Sequence, residues 1–162
     1  MRDRDEDVTR LYEELGAMLL AYARSLVWDA SEAEDALQEV FLNLMVLREG
    51  AFPREPRPYL FRAVRNTCFN RRRSATREAA RRRAAAPMFS TPGGLEDLAL
   101  DLEQALEELP DEQREVVVLR VWAEMTIDET AQVLGIPMNT VASRYRYALA
   151  KLRGRFEAHL GS

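Results

Sequence analysis

Apolar residues return every three or four positions along most of this chain, the spacing of one face of an α-helix. Leu11, Leu15, Met18, Tyr22 and Leu26 form one stripe, with Tyr12, Leu19 and Ala23 beside it. Leu37, Val40, Phe41, Leu44 and Leu47 form a second, and Leu95, Leu98, Leu102, Leu106 and Leu109 a third. No segment alternates apolar and polar residues as a half-buried strand would. The β-prone run at 116–119, VVVL, lies inside a helical window between Glu115 and Arg120. The predicted fold class is therefore all-α.

Breaks in the periodicity give the organisation. Trp28-Asp29-Ala30 interrupts the first stripe, and Ser31 with Glu34 reads as a capping box opening the second helix, which Gly50 stops. The segment 51–58, AFPREPRP, holds three prolines and is predicted as a loop. A third helix is predicted from Tyr59 to about Arg83. Its first half is amphipathic through Leu60, Phe61, Val64 and Phe69, with Phe61 placed in the core. Its second half, RRRSATREAARRR, has no core face. The stretch 84–94, AAAPMFSTPGG, reads as a flexible linker. Two small helical domains, 1–83 and 95–162, are thus expected. After the linker, Pro110 opens the helix DEQREVVVLRVW.

Charge follows this organisation. Residues 1–55 carry 6 basic and 13 acidic side chains, and residues 87–138 carry 2 and 12. Between and after them, residues 56–86 carry 10 and 1, and residues 139–162 carry 5 and 1. Two basic blocks set among acidic ones point to two surfaces for a polyanion. Of the 23 basic residues all but Lys151 are arginine, which suits the two-pronged recognition of phosphate.

Other classes are excluded. No apolar run approaches the roughly 18 residues of a membrane span, and MRDRDEDVTR is too polar for a signal peptide. With Cys68 the only cysteine and His159 the only histidine, a disulfide framework, a Cys/His zinc site and a nucleophilic triad are not expected. There is no phosphate-binding G-x-x-x-x-G-K-[ST] loop. No catalytic residue, metal ligand or cofactor is assigned, and a reducing cytoplasm is the expected setting.

The sharpest local pattern spans Thr126 to Arg155. Thr126 and Glu129 form a capping box for the short helix TIDETAQVL, Gly135 closes it, and Ile136-Pro137 makes the turn. A second helix starts near Asn139, with Val141, Tyr145, Ala148, Leu149 and Leu152 as its apolar face. Asn139, Thr140, Ser143, Arg144, Arg146 and Tyr147 lie outward. A short helix, a glycine turn and a long basic helix are a helix-turn-helix, whose second helix enters the major groove N-terminus first. Taken alone, these residues also fit an autonomous repressor or activator, or a helical interaction module that binds no DNA.

The whole chain, however, resembles an extracytoplasmic-function (ECF) sigma factor, a compact specificity subunit of bacterial RNA polymerase. LPDEQREVVVLR (109–120) and TIDETAQVLGIPMNTVASR (126–144) look like the family's region four; EAEDALQEVFLNL (32–44) and YLFRAVRNTCFNRRR (59–73) look like its region two. The resemblance implies a protein that binds core polymerase, confers promoter specificity and assists promoter opening without being an enzyme. It implies that Asp35, Gln38, Glu39 and Leu42 dock on the clamp helices of the polymerase β′ subunit. It implies that Tyr59, Arg62, Arg65, Asn66, Arg71, Arg72 and Arg73 meet the minus-ten element, where one non-template base is flipped out. The residues named on the second helix of the helix-turn-helix would read the minus-thirty-five element. Implied partners are core polymerase, including its β flap, promoter DNA and an anti-sigma factor, with no membrane insertion. Two positions depart from the family: Ala142 stands where a basic residue is common, and Asn139 where glycine is. The proline-rich loop before Tyr59 is a further departure.

Overall fold

A computed structural model describes residues 3–72 and 96–160, excluding the side chains of 96–99 and 158–160. The chain divides into two compact units, Met1–Ala85 and Ala86–Ser162. Every regular element among the described residues is helical, as the spacing of apolar residues predicts. The basic stretch from Arg73 to Arg83 and the linker 84–94 lie outside the described residues.

The first unit is built from α1 (Arg4–Val27), α2 (Ala30–Met45) and α3 (Pro56–Arg72), each packed against the other two. Leu19, Tyr22 and Ala23 of α1 meet Ala33, Ala36 and Leu44 of α2 and Leu60, Phe61 and Val64 of α3 in a core closed to solvent. Phe61 is buried as expected, its ring 5.8 Å from that of Tyr22. Burying such side chains stabilises the unit by roughly 1.5–3 kcal/mol each.

Three boundaries differ from the sequence reading, each for a local reason. Trp28 ends α1 in the left-handed region (φ 58), and Asp29, not Ser31, caps α2 by accepting from the Glu32 amide at 3.1 Å. At its other end α2 stops at Met45, five residues short of Gly50, so Leu47 leaves the helical stripe. There the Arg4 guanidinium donates to the carbonyls of Met45 (3.5 Å), Leu47 and Arg48 (3.4 Å), supplying partners for acceptors that the ended helix leaves open. Finally, α3 begins at Pro56 rather than Tyr59. The first amides of a helix have no intrahelical acceptor, so Pro56 and Pro58 fit its first turn without losing a bond.

The second unit holds α4 (Glu96–Glu108), α5 (Asp111–Val117), a π-helical turn (Val118–Trp122), α6 (Ile127–Leu134) and α7 (Met138–Leu160). The expected single helix after Pro110 is thus interrupted. The Ala123 amide reaches back to the Val118 carbonyl at 3.1 Å, and Glu124 turns into the left-handed region (φ 53). This widened turn redirects the chain toward α6. Thr126 and Glu129 form the expected capping box, with both bonds at 3.1 Å. Gly135 closes α6 at φ 67.

Buried Val141 and Ala148 anchor α7 against α5 and α6. Leu149, expected in that core, is 38% exposed: at this phase it faces the flank of α7 beside Ile127 and Ala142. Arg114 is 2% exposed and crosses the end of α4, donating to the carbonyls of Leu106 (3.3 Å), Glu107 (3.4 Å) and Leu109 (3.2 Å) and pairing with Asp111. Arg155 ties α7 to Glu108 at the same helix end.

Candidate functional site

Three surfaces carry the residues singled out above. The first is the outer side of α2. Its inward positions Ala36, Leu37, Val40, Phe41 and Leu44 are buried, which leaves Asp35, Gln38, Glu39 and Leu42 exposed together on the opposite face. They line a shallow depression with Asn43 and Arg71. Leu42 is 57% exposed, and an apolar side chain held out among carboxylates and an amide suits a protein partner better than solvent. An apolar groove lined by Tyr12, Leu37, Phe41 and Met45 runs beside it between α1 and α2.

The second surface is the outer side of α3. Burial of Leu60, Phe61, Val64 and Cys68 turns Tyr59, Arg62 and Asn66 outward on one face. Tyr59 is 39% exposed. Asn70 is exposed one turn beyond Asn66 on the same face and was not singled out in the sequence, although continuing the phase of Tyr59, Arg62 and Asn66 reaches it. Arg65 and Arg72 flank this face, their guanidinium carbons 4.5 and 5.4 Å from the centroid of Phe69. A basic face with an exposed ring is the combination used to hold a single strand, with charge on the phosphates and the ring under a base. Arg73 lies outside the described residues.

Arg71 stands apart from that group. It projects toward α2, where Nη1 donates to Glu32 at 2.9 Å and Nη2 to Glu39 at 3.2 Å. The bond to Glu32 does most to raise the Arg71 pKa above its ordinary value; partial burial opposes it, and the bond to Glu39 adds to it. On the buried side of α3, desolvation pushes the Cys68 thiol up to about 12, despite the opposing charges of Arg71 and Arg72.

The third surface is the first half of α7. Asn139, Arg146 and Tyr147 are exposed, while Thr140 and Ser143 are half-buried beside them. Arg146 lies 5.7 Å over the ring of the neighbouring Tyr147. Arg144 is turned away from this group, half-buried and 3.8 Å from Glu112. Arg153 is exposed two turns beyond Arg146 on its face and extends the cationic strip. Arg120 stacks on Tyr145 at 5.0 Å and donates to the Met125 carbonyl, so it braces the helix-turn-helix from behind.

Comparison with known proteins agrees with this layout. The family described as sigma-70 region 2 matches residues 11–78, and sigma-70 region 4 matches residues 99–152. The chain is 35% identical over 151 residues to the ECF RNA polymerase sigma factor SigL of Mycobacterium tuberculosis, covering 88% of this chain and 85% of that protein. It is 36% identical over 138 residues to the RNA polymerase sigma-E factor of Streptomyces coelicolor, covering 83% and 77%. Among solved structures it is similar to CnrH in complex with the cytosolic domain of CnrY (TM-score 0.68, 27% identity, 95% of this chain and 90% of that one). The fold is shared with the sigma factor RpoE of Bartonella quintana, solved with the anti-sigma factor NepR (TM-score 0.69, 23% identity, 91% and 97% covered).

Proposed function

The chain belongs to the ECF sigma factors of RNA polymerase, and from that premise we propose how its surfaces divide the work of starting transcription. As an RNA polymerase sigma factor it binds core polymerase, confers promoter specificity and assists promoter opening. We assign the polymerase and minus-ten functions to residues 1–83, the tether to 84–94 and the minus-thirty-five function to 95–162. The observation that carries this division is the exposure of one acidic, leucine-bearing patch on α2 while both cationic faces lie on other helices.

Asp35, Gln38, Glu39 and Leu42 dock on the polymerase clamp helices. Leu42 supplies apolar contact, and the carboxylates set register and sign. On α3, Arg62, Arg65, Asn66 and Arg72 hold the backbone of the non-template strand, with Arg73 beyond them, and Tyr59 offers a face to an unstacked base. Unstacking a base costs a few kcal/mol. A stack on the Tyr59 ring returns about 1–3 kcal/mol, and the phosphate contacts of the arginines add to it, so capture stabilises the open strand with binding free energy alone. The protein needs no catalytic residue of its own for that step.

On α7, Asn139 and Arg146 are placed to reach base edges, and Thr140, Ser143 and Tyr147 to reach phosphates or bases. Arg144 joins them only by leaving Glu112. That partly exposed pair is worth at most about 1 kcal/mol, and a phosphate accepts the guanidinium in its place. The protein acts in the cytoplasm beside the polymerase. It is regulated by an anti-sigma factor, a reading supported by the likeness to a sigma factor solved with such a partner.

Run-off transcription with purified core polymerase on a promoter library tests the whole reading. Transcripts from a defined subset of promoters are the expected result, and failure to form a holoenzyme would overturn it. Asp35→Arg with Glu39→Arg is expected to lose core binding and keep duplex affinity. Arg146→Ala is expected to keep core binding and weaken the duplex. A swap of these effects removes the residue assignments.

A further inference from the structure

Arg71 sits on the flank of α3 between the surface assigned to DNA and the surface assigned to polymerase, and both of its terminal nitrogens are engaged on the polymerase side. Glu32 and Glu39 are two helical turns apart on α2, and the guanidinium fork spans them. Glu39 is also one of the exposed residues of the docking patch, its side chain 50% accessible. One carboxylate therefore belongs both to the Arg71 clasp and to the exposed patch on α2.

We propose that Arg71 is a positioning residue that makes DNA capture conditional on polymerase docking, held by Glu32 and Glu39 in the free protein and released to a non-template phosphate when the partner engages Glu39. The inference rests on the assignment of α2 to polymerase and α3 to the single strand. Losing Glu39 removes one of these two carboxylates and leaves the other, Glu32, which is itself solvent-accessible. Such a pair is weak and screened, and a strand phosphate is also a two-pronged acceptor for arginine. Clasped, Arg71 adds no attraction for nucleic acid, because two carboxylates offset its charge. Released, it adds one phosphate contact beside Arg72.

Two titrations of the full chain test this. In the first, the free protein is titrated with a labelled mixed-sequence single strand of about 12 nucleotides, within the range that one such surface covers. Arg71→Ala is expected to leave that affinity unchanged. Glu32→Gln with Glu39→Gln is expected to tighten it several-fold and to steepen the log-log salt dependence by about 0.7, the increment of one single-strand phosphate. Adding Arg71→Ala to that pair should cancel the steepening. A slope gain that survives without Arg71 reflects only the removal of negative charge and overturns the proposal.

In the second titration, holoenzyme is bound to a promoter fork carrying an unpaired minus-ten strand. Arg71→Ala is expected to weaken that complex several-fold. Equal losses in free chain and holoenzyme mean a merely structural role, and no loss in holoenzyme means Arg71 never reaches DNA. Arg71→Lys, which keeps the charge but cannot span both carboxylates, covers the case in which the alanine variant folds poorly; it is expected to bind the free single strand more tightly than the wild type, and equal or weaker binding counts against the clasp. Arg62→Ala reports on the α3 surface and Asp35→Arg on docking, so failure of either assignment is separable from failure of the clasp.

Discussion

Replacing Arg114 with methionine is expected to destabilise the second unit by about 2 kcal/mol. Methionine keeps much of the stem's packing and removes the charge. The bonds to the Leu106 and Leu109 carbonyls are both buried, but the Leu106 carbonyl also accepts from the Leu109 amide at 3.1 Å, so only the Leu109 carbonyl is left open. Each buried acceptor left open costs roughly 1–3 kcal/mol. The Glu107 carbonyl is only part-buried, and Asp111 is 39% accessible, so water replaces most of what those two groups lose. Removing a positive charge from the end of α4 adds a few tenths of a kcal/mol through the helix dipole. A domain of this size has a total stability of only about 4–12 kcal/mol, so the loss is a large fraction. It corresponds to a fall in Tm of roughly 8–16 °C. The assay is urea and thermal unfolding followed by Trp122 emission in a Trp28→Phe background, which places the only remaining tryptophan in the second unit. Arg114→Lys, which reaches fewer carbonyls, should lie between. A cost below about 1 kcal/mol for methionine would mean that the carbonyls find water, and that Arg114 does not hold the end of α4.

Three further outcomes follow from the same structure. Cys68 ionises near its usual 9.0 when unfolded and at about 12 when folded. Its burial therefore stabilises fully below pH 9, and that contribution falls by about 1.4 kcal/mol per pH unit above it. The urea-midpoint gap between wild type and Cys68→Ala should accordingly narrow from pH 8 to pH 10.5, and a constant gap would refute the burial effect. Gly135→Ala meets no atom within 4 Å but must hold φ 67, so a cost of about 1–2 kcal/mol is expected from backbone strain alone, measured by denaturant midpoint. Leu149→Ala should cost under about 1.5 kcal/mol because the side chain is 38% exposed, whereas Val141→Ala, fully buried, should cost about 2 kcal/mol; the reverse order would show that the phase of α7 is misassigned.

The helical class, the helix-turn-helix and the face of α2 were readable because each depends on spacing that one segment carries by itself. Thr126 with Glu129 and Gly135 are local signals, and the structure meets them as read. What escaped the sequence depends on partners far along the chain. Nothing near Met45 announces that Arg4 will take the carbonyls there and shorten α2. Arg114 and Arg120 count as the two basic residues of an acidic block, yet one is buried across a helix end and the other stacks on Tyr145. Arg71 looks like its neighbours Arg72 and Arg73 in the sequence, and only the packing of α3 against α2 separates it from Arg72. The shift at Leu149 has a similar origin, since a stripe on a helical wheel does not say how wide the covering helices are.

Helix α7 has 23 residues, which at about 1.5 Å per residue make a rod roughly 35 Å long, against a major-groove width of about 12 Å. On the assignment proposed above its tip enters the groove, and its far portion is fastened through Arg155 to Glu108. The angle of the tip is set by Val141 and Ala148, buried directly behind it. If the tip reads bases as proposed, its outward side chains can be exchanged to suit another sequence without disturbing this mounting, while a kink introduced between Val141 and Ala148 would re-aim an intact reading head.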